Sequence, residues 1–413
     1  MIKVINISFS DISGGAARST YRIHNSLLKI GIGSQLRVCR RLSGDPSVVA
    51  PSGFGKVIAE MRPMIRHIVM SLHRTPTFEM HSINWFPSGW VDSLNKSDAD
   101  IIHLHWIGLE TISIYELSKI RKPIVWTLHD MWAFCGSEHY TDESENARWK
   151  VGYTAETRRI GETSFDLDRW VWNRKCRAWK QPFHIVCPSR WLTDCVQKSA
   201  LMKNWDVSTI PYSIDLSTFR PIPREIARDC LKLRRDKKII LFGALGGIHD
   251  PRKGGDLLIQ ALSVLKEKTI HDVEIIIFGQ HKPSNPPDFS FPVRYFGHLQ
   301  DDISLVLLYS ACNVFIAPSR QDNLPNTVAE AIACGTPVVA FNIGGMPDLV
   351  NHNYSGYLAT PYDIVDLAQG IRWVIEHQSD GQLRREARNH AEEILDEKKN
   401  AAQYLNLYEK ILS

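Results

Sequence analysis

"VFIAPSRQDNLPNTVAEAIACGTPVVAF", Val314 to Phe341, runs through strand, loop, helix and strand in 28 residues. Its ends, VFIAPS and TPVVAF, are apolar on both faces, as in strands covered by helices on each side of a parallel sheet. Asp322 stands in the loop after the first strand. Glu330 follows eight positions on, one turn into a helix that Asn326 and Thr327 begin and are expected to cap. Open parallel sheets bind ligands beyond the carboxyl ends of their strands, so both acids lie where chemistry belongs.

The same alternation fills the chain. KVINIS, SQLRVCR, IIHLHW, PIVWTLH, FHIVCPS and VSTIPY read as strands in the first half; KIILFGAL, VEIIIFG, VRYFG and SGYLAT join the two above in the second. This predicts an α/β chain of two doubly wound, Rossmann-like domains facing a cleft. A length of 413 residues suits two domains. The proline-rich IPYSIDLSTFRPIPRE, 210–225, reads as a linker. The expected organisation is an N-terminal domain over 1–208, a nucleotide-binding domain over 209–384, and a C-terminal helix over 385–413 that braces the first.

Composition narrows the class. Hydrophobic residues make up 44% and charged residues 23%, and the net charge of +4 is too small to imply nucleic acid. No apolar run is long enough for a membrane helix, and the start reads as a strand rather than a signal peptide, so a cytoplasmic protein is expected. The eight cysteines form no CxxC pair, which points to free thiols rather than a metal site. Residues 148–180 hold nine Lys/Arg against four Asp/Glu, with five Trp or Tyr among them. That stretch faces an anionic partner or is a solvated helix pair.

Six strand ends carry candidate chemistry. Gly14 and Gly15 open a helix after the first strand, where main-chain N–H groups can meet a ligand. His105 and Trp106 end one strand; His129, Asp130 and Trp132 end its neighbour. Indole faces suit the C–H surface of a sugar and an imidazole can donate to its hydroxyls. His103 points the same way as His105, with a less defined role. In LFGALGGIHDPRKGGDLLIQAL a glycine-rich loop leads to Arg252 and Lys253 at the head of a helix, a pyrophosphate site in type but not the Walker spacing. Glu330 can hold a ribose diol and Asp322 sugar hydroxyls. A pair of glycosidase carboxylates is the rival reading, disfavoured because phosphate-binding elements surround the pair. The turn at Gly344 and Gly345 is expected to offer main-chain contacts to the donor.

These residues resemble a known family. PSRQDNLPNTVAEAIACGTPVVAF is similar to the acid-x7-acid motif of retaining GT-B glycosyltransferases of family 4, and DPRKGGDLLIQAL and PYSIDLSTFRPI match that family's pattern in order. HLHW and TLHDMWAF resemble the bacterial branch that builds O-antigen, colanic-acid and related polysaccharides. The resemblance implies that Glu330 binds the ribose, Asp322 sits by the donor sugar, Arg252 and Lys253 neutralise the pyrophosphate, and His129 contacts the transferred sugar. It implies a hexosyl transfer from a GDP- or UDP-sugar to a lipid-linked saccharide acceptor, without metal or other cofactor, on the inner face of the membrane. An anionic membrane surface is an expected partner, through 56–75 or 148–180. Three departures stand out: Asp322 replaces the usual Glu, Gly247 replaces a frequent arginine, and Cys135 stands alone where relatives have a cysteine cluster able to form a metal knuckle. An epimerase on the same scaffold and a non-catalytic sugar-nucleotide-binding protein are the alternatives.

Overall fold

The computed structural model describes residues 1–71, 80–158, 165–243, 248, 250–267, 272–299, 301–378 and 381–413. They form two compact units, Met1–Ser213 with Lys398–Ser413, and Ile214–Glu397. The boundary lies at Ser213/Ile214 rather than after residue 208. The segment expected to brace the first unit from 385 onward is two helices, Gln382–Ile394 and Glu397–Leu412, and the first of them belongs to the second unit.

The first unit is built on strands β1 (Lys3–Ser10), β2 (Gly33–Arg40), β3 (Val48–Val49), β4 (Ile101–Leu104), β5 (Ile124–Thr127), β6 (His184–Cys187) and β7 (Val207–Thr209). Their order is β3-β2-β1-β4-β5-β6-β7, and every pair is parallel. The second unit has β8 (Lys238–Gly243), β9 (Val273–Phe278), β10 (Val293–Tyr295), β11 (Val314–Ala317), β12 (Val338–Phe341) and β13 (Gly356–Ala359), in the order β10-β9-β8-β11-β12-β13, again parallel throughout. The two-residue β3 has no counterpart in the sequence reading.

Burial explains why these runs are strands. Every residue of β4, β5, β11 and β12 is buried, as helices on both faces of a sheet require. In each sheet the strand order reverses at one place, between β1 and β4 and between β8 and β11. A doubly wound sheet opens a crevice at such a switch point, beyond the strands' carboxyl ends. The residues that follow β1, β4, β8 and β11 are therefore placed for binding.

The C-terminal helix docks on the first unit through polar contacts as well as packing. Tyr408 OH lies 2.7 Å from His103 Nδ1, and Tyr404 OH 3.1 Å from Thr127 Oγ1. Thr127 Oγ1 also meets His103 Nε2 at 2.8 Å, so β4, β5 and the helix share one buried network. No helix among the described residues is long and apolar enough to cross a membrane. Tyr408→Phe removes one buried hydrogen bond and is expected to cost about 1–2 kcal/mol; Tyr408→Ala adds a cavity and costs about 3–5 kcal/mol. Urea unfolding of both variants checks this, and a Phe variant as stable as the parent contradicts the proposed docking bond.

Candidate functional site

In the second unit, Lys253 and Asp322 meet at the switch point. Asp250 caps a short 3₁₀ turn, Pro251–Lys253, by accepting from Arg252 N–H. Gly254 follows in the left-handed region at φ +68°, and a Cβ there would lie 1.9 Å from Pro318 O. Only glycine lets this turn press against the loop after β11. The result is an ion pair: Lys253 Nζ donates to Asp322 Oδ2 at 2.5 Å, and Arg252 Nη1 stands 3.4 Å from Asp322 Oδ1. Burial pushes the Asp322 pKa up, but the Lys253 and Arg252 charges outweigh it and hold the carboxyl below its ordinary range. Burial lowers the Lys253 pKa, with Asp322 opposing. A pocket of about 10 Å³, enough for roughly one water, is lined here by Gly243, Lys253, Ser319, Asp322, Pro325 and Thr327.

The helix Asn326–Ala333 starts beside this pair, and its N-cap is Pro325, with no side-chain cap. Asn326 and Thr327 are thus the first helical residues, not the cap the sequence implied. Pro325 supplies no cap side chain, so the polar pair falls one step inside. Glu330, 3% exposed, accepts from Tyr309 OH at 3.0 Å. Gly345 N–H, following Gly344, donates to Asp322 O at 3.1 Å and so shapes the acid's loop. Gly247 lies outside the described residues.

The first unit gathers a second cluster. Gly14, at φ 92°, is the N-cap of the helix Gly15–Lys29, which carries Thr20 to within 3.5 Å of His129 Nε2. His105, Trp106, His129, Asp130 and Trp132 line one pocket, and His139 completes it. Asp130 accepts from Trp106 Nε1 at 2.8 Å, His139 Nδ1 at 2.6 Å and Trp132 N at 3.0 Å. Burial raises the Asp130 pKa, but neighbouring His139 and these donors more than offset it and keep it low.

His129 sits at the end of a hydrogen-bonded chain whose polarity Asp45 sets. Ser47 Oγ donates to Asp45 Oδ1 at 2.5 Å, so it must accept from His24 Nε2 at 2.8 Å. The Nδ1 of a neutral His24 then accepts a hydrogen bond from Ser34 Oγ at 2.7 Å, and Ser34 accepts from Asn6 Nδ2 at 2.8 Å. Asn6 Oδ1 accepts from His105 Nε2 at 3.0 Å, His105 Nδ1 from His129 Nε2 at 3.3 Å, and His129 Nδ1 from Tyr212 OH at 2.7 Å. Both His129 nitrogens are therefore engaged. The sequence reading had His129 donating to a sugar hydroxyl; the ring instead offers an acceptor, now occupied by Tyr212.

Two family descriptions match the chain: Glycosyltransferase Family 4 over 13–218 and Glycosyl transferases group 1 over 237–377. The chain belongs to the family 4, group 1 glycosyltransferases. This glycosyltransferase-family chain is 27% identical to the D-inositol 3-phosphate glycosyltransferase of Saccharomonospora viridis over 71% of its own length and 66% of that relative's. It thus spans just under two thirds of the relative. Two solved structures share its GT-B fold. Sucrose-phosphate synthase from Thermosynechococcus elongatus is 18% identical, with a TM-score of 0.68 over 100% of this chain and 99% of that one. Anabaena HepE, solved with UDP and glucose, is 17% identical, with a TM-score of 0.64 over 98% and 99%.

The motif residues of this family-4 chain fall into two groups: Arg252, Lys253, Asp322, Asn326, Thr327, Glu330, Gly344 and Gly345 in the second unit, and Gly14, Gly15, His105, Trp106, His129, Asp130 and Trp132 in the first. His139, Tyr212 and Tyr309 escaped the sequence reading. His139 alone carried a signal, ten residues beyond His129 in the same loop.

The histidine chain makes a pH prediction. Burial lowers His24 and His129 to about 4, His103 to about 3, and His105 well below 6.5. Each is neutral when folded and takes up a proton on unfolding between its folded value and 6.5. Stability is therefore full above that range and falls as pH drops through it, by up to ~1.4 kcal/mol per pH unit per histidine, or on the order of 5 for the four together. Denaturant titrations between about pH 7 and about pH 5 should show this slope; equal stability at both ends would contradict neutral burial.

Proposed function

We propose that this chain transfers a hexose-type sugar from a GDP- or UDP-sugar to a lipid-linked oligosaccharide of a surface polysaccharide of the O-antigen or exopolysaccharide kind, with retention at the anomeric carbon. The observation that carries the donor half is the convergence of Lys253 and Arg252 on one carboxylate at the switch point, beside a helix start without a side-chain cap. A diphosphate offers the same anionic oxygens as Asp322 and more charge. The UDP and glucose of the HepE structure support a nucleotide-sugar donor.

In this reading the donor diphosphate takes the place of the Asp322 carboxylate on Lys253, and Asp322 turns to the sugar hydroxyls. Arg252, Lys253 and the N-terminus of the helix Asn326–Ala333 stabilise the charge that grows on the leaving phosphate. The acceptor hydroxyl attacks from the face the phosphate leaves, and that phosphate takes its proton. No protein nucleophile and no metal at the phosphates are needed. Glu330 holds the ribose, fixed in direction by Tyr309. The Trp106, Asp130 and Trp132 pocket meets sugar, and a hydroxyl there donates to His129 Nδ1 after displacing Tyr212.

The acceptor half rests on HLHW and TLHDMWAF. It also rests on the helix Phe54–Ser71, where Val57, Ile58, Met61 and Met64 are 40–64% exposed, an apolar face suited to a membrane surface. Peripheral attachment on the cytoplasmic side follows from this proposal. The name of the curated relative favours one other acceptor, an inositol phosphate.

Lys253→Ala should raise the barrier by about 2–4 kcal/mol, close to the range for one preorganised donor, with a loss of turnover of roughly 30- to 10³-fold. Unchanged kcat in a transfer assay removes Lys253 from the mechanism. Flotation with anionic liposomes should carry the protein upward, and Met61→Asp with Met64→Asp should abolish that. Transfer to inositol 3-phosphate in place of lipid-linked saccharide, with no flotation, overturns the acceptor proposal alone.

A further inference from the structure

His81, Glu138 and Asp168 converge in the first unit, outside the sugar pocket. They are 2, 2 and 4% exposed, and one ligating atom of each lies within 4.8 Å of the others. We propose that these three side chains hold a divalent metal ion, zinc by their donor set, as a structural centre behind the sugar pocket.

Three separate segments are folded so as to meet here. His81 and Glu138 face each other across an antiparallel bridge, held by Ser82 N to Ser137 O at 2.8 Å and His139 N to Met80 O at 3.0 Å. Asp168 comes from the first turn of the helix Leu167–Ala178. It approaches because residue 136 is glycine; a Cβ there would lie 2.6 Å from Asp168 Cβ. A single ion would tie all three segments together.

The outer contacts orient the donors. Ser137 N–H donates to Asp168 Oδ1 at 3.1 Å, and Ser137 Oγ donates to the same oxygen. Tyr153 OH donates to Glu138 Oε1, and His81 Nδ1 meets Ser137 Oγ at 2.8 Å. Metal ligands characteristically have such outer partners, which fix the ring and carboxylate directions. The remaining oxygen of Glu138, Oε2, is buried and no N–H or hydroxyl donor reaches it, and the Glu138 side chain abuts the Asp168 carboxyl group. Two buried carboxyl groups in contact are costly unless a proton or a cation lies between them, and a divalent ion fills that place with both groups ionised.

The local lysine does not fill that place. Lys175 acts on both carboxylates through its charge, but its ammonium donates to Trp132 O, Cys135 O and Gly136 O. Two carboxylates balance a divalent ion, and an imidazole with two oxygens is a zinc-type donor set. Closing by about an ångström each brings the atoms to the roughly 2.0–2.2 Å of zinc ligands. The fourth position falls to a water or to the second oxygen of a carboxylate. His139, next to Glu138, grips Asp130, so the ion would stiffen the pocket wall. Transfer chemistry is not routed through it, and its test does not depend on the activity proposed above.

The test is the metal content of the full chain, grown with zinc and passed through a desalting column, by inductively coupled plasma mass spectrometry. About one zinc per chain is expected, with a fall in Tm on chelation by dipicolinate and recovery on adding Zn²⁺. Glu138→Gln and Asp168→Asn, which keep shape, should lose the ion while circular dichroism shows them folded. Wild-type protein that binds neither Zn²⁺ nor Mn²⁺, with Tm indifferent to chelator, overturns the proposal and leaves Glu138 and Asp168 sharing a proton. Full zinc occupancy in both folded variants overturns it too, by placing the ion elsewhere.

Discussion

The ammonium of Lys253 and the carboxylate of Asp322, 2.5 Å apart, depend on two loops after β8 and β11 being pressed together. Pro318 O touches Gly254, Gly345 N–H fixes Asp322 O, and Arg320 N–H donates to Arg252 O at 2.8 Å. Each contact is a backbone matter, so the two charges are positioned by the fold rather than by their own attraction. In the proposed mechanism this is preorganisation: the cations stand in place before the phosphate arrives, and they need not move as charge develops on it. Asp322 fills the role of counter-ion meanwhile, since a mostly buried lysine is costly without one.

The first unit solves a different problem. Its candidate pocket is lined by rings whose N–H and N: sites must all be answered inside a sheet. The chain from Asp45 through His24 and His105 to His129 does this with one sense of donation along its length. Its anchor is a carboxylate, which can only accept. The same polarity decides what His129 can offer a ligand. A pocket built by hydrophobic packing alone would leave that choice open; a carboxylate in the loop between β2 and β3 closes it.

Much of the architecture was legible because parallel strands covered on both faces have a plain signature, and VFIA, VVAF, IIHL and IVWT carry it in full. β3 was not, since two residues carry no period. The placing of Lys253, Asp322 and Glu330 was legible because each follows a strand or lies in the first turns of a helix, at the end of the sheet where ligands of such folds bind. The cap at Asn326–Thr327 misread a local signal: a proline before two polar residues took the boundary position itself. Tyr212 and Tyr309 were invisible because their roles are contacts across long separations, which no local pattern encodes, whereas His139 stood in the same loop as His129 and was passed over. His129 was found by position but misread in polarity, for its proton is assigned from Asp45 through five intervening groups.

The central claim is that the Lys253–Asp322 pair marks the seat of a diphosphate. The direct measurement is a crystal structure of the chain with UDP, and in parallel with GDP. The account predicts phosphate oxygens on Lys253 Nζ and Arg252, the Asp322 contact lengthened or broken, and ribose hydroxyls on Glu330. A diphosphate bound elsewhere, with Lys253 still on Asp322, would contradict it.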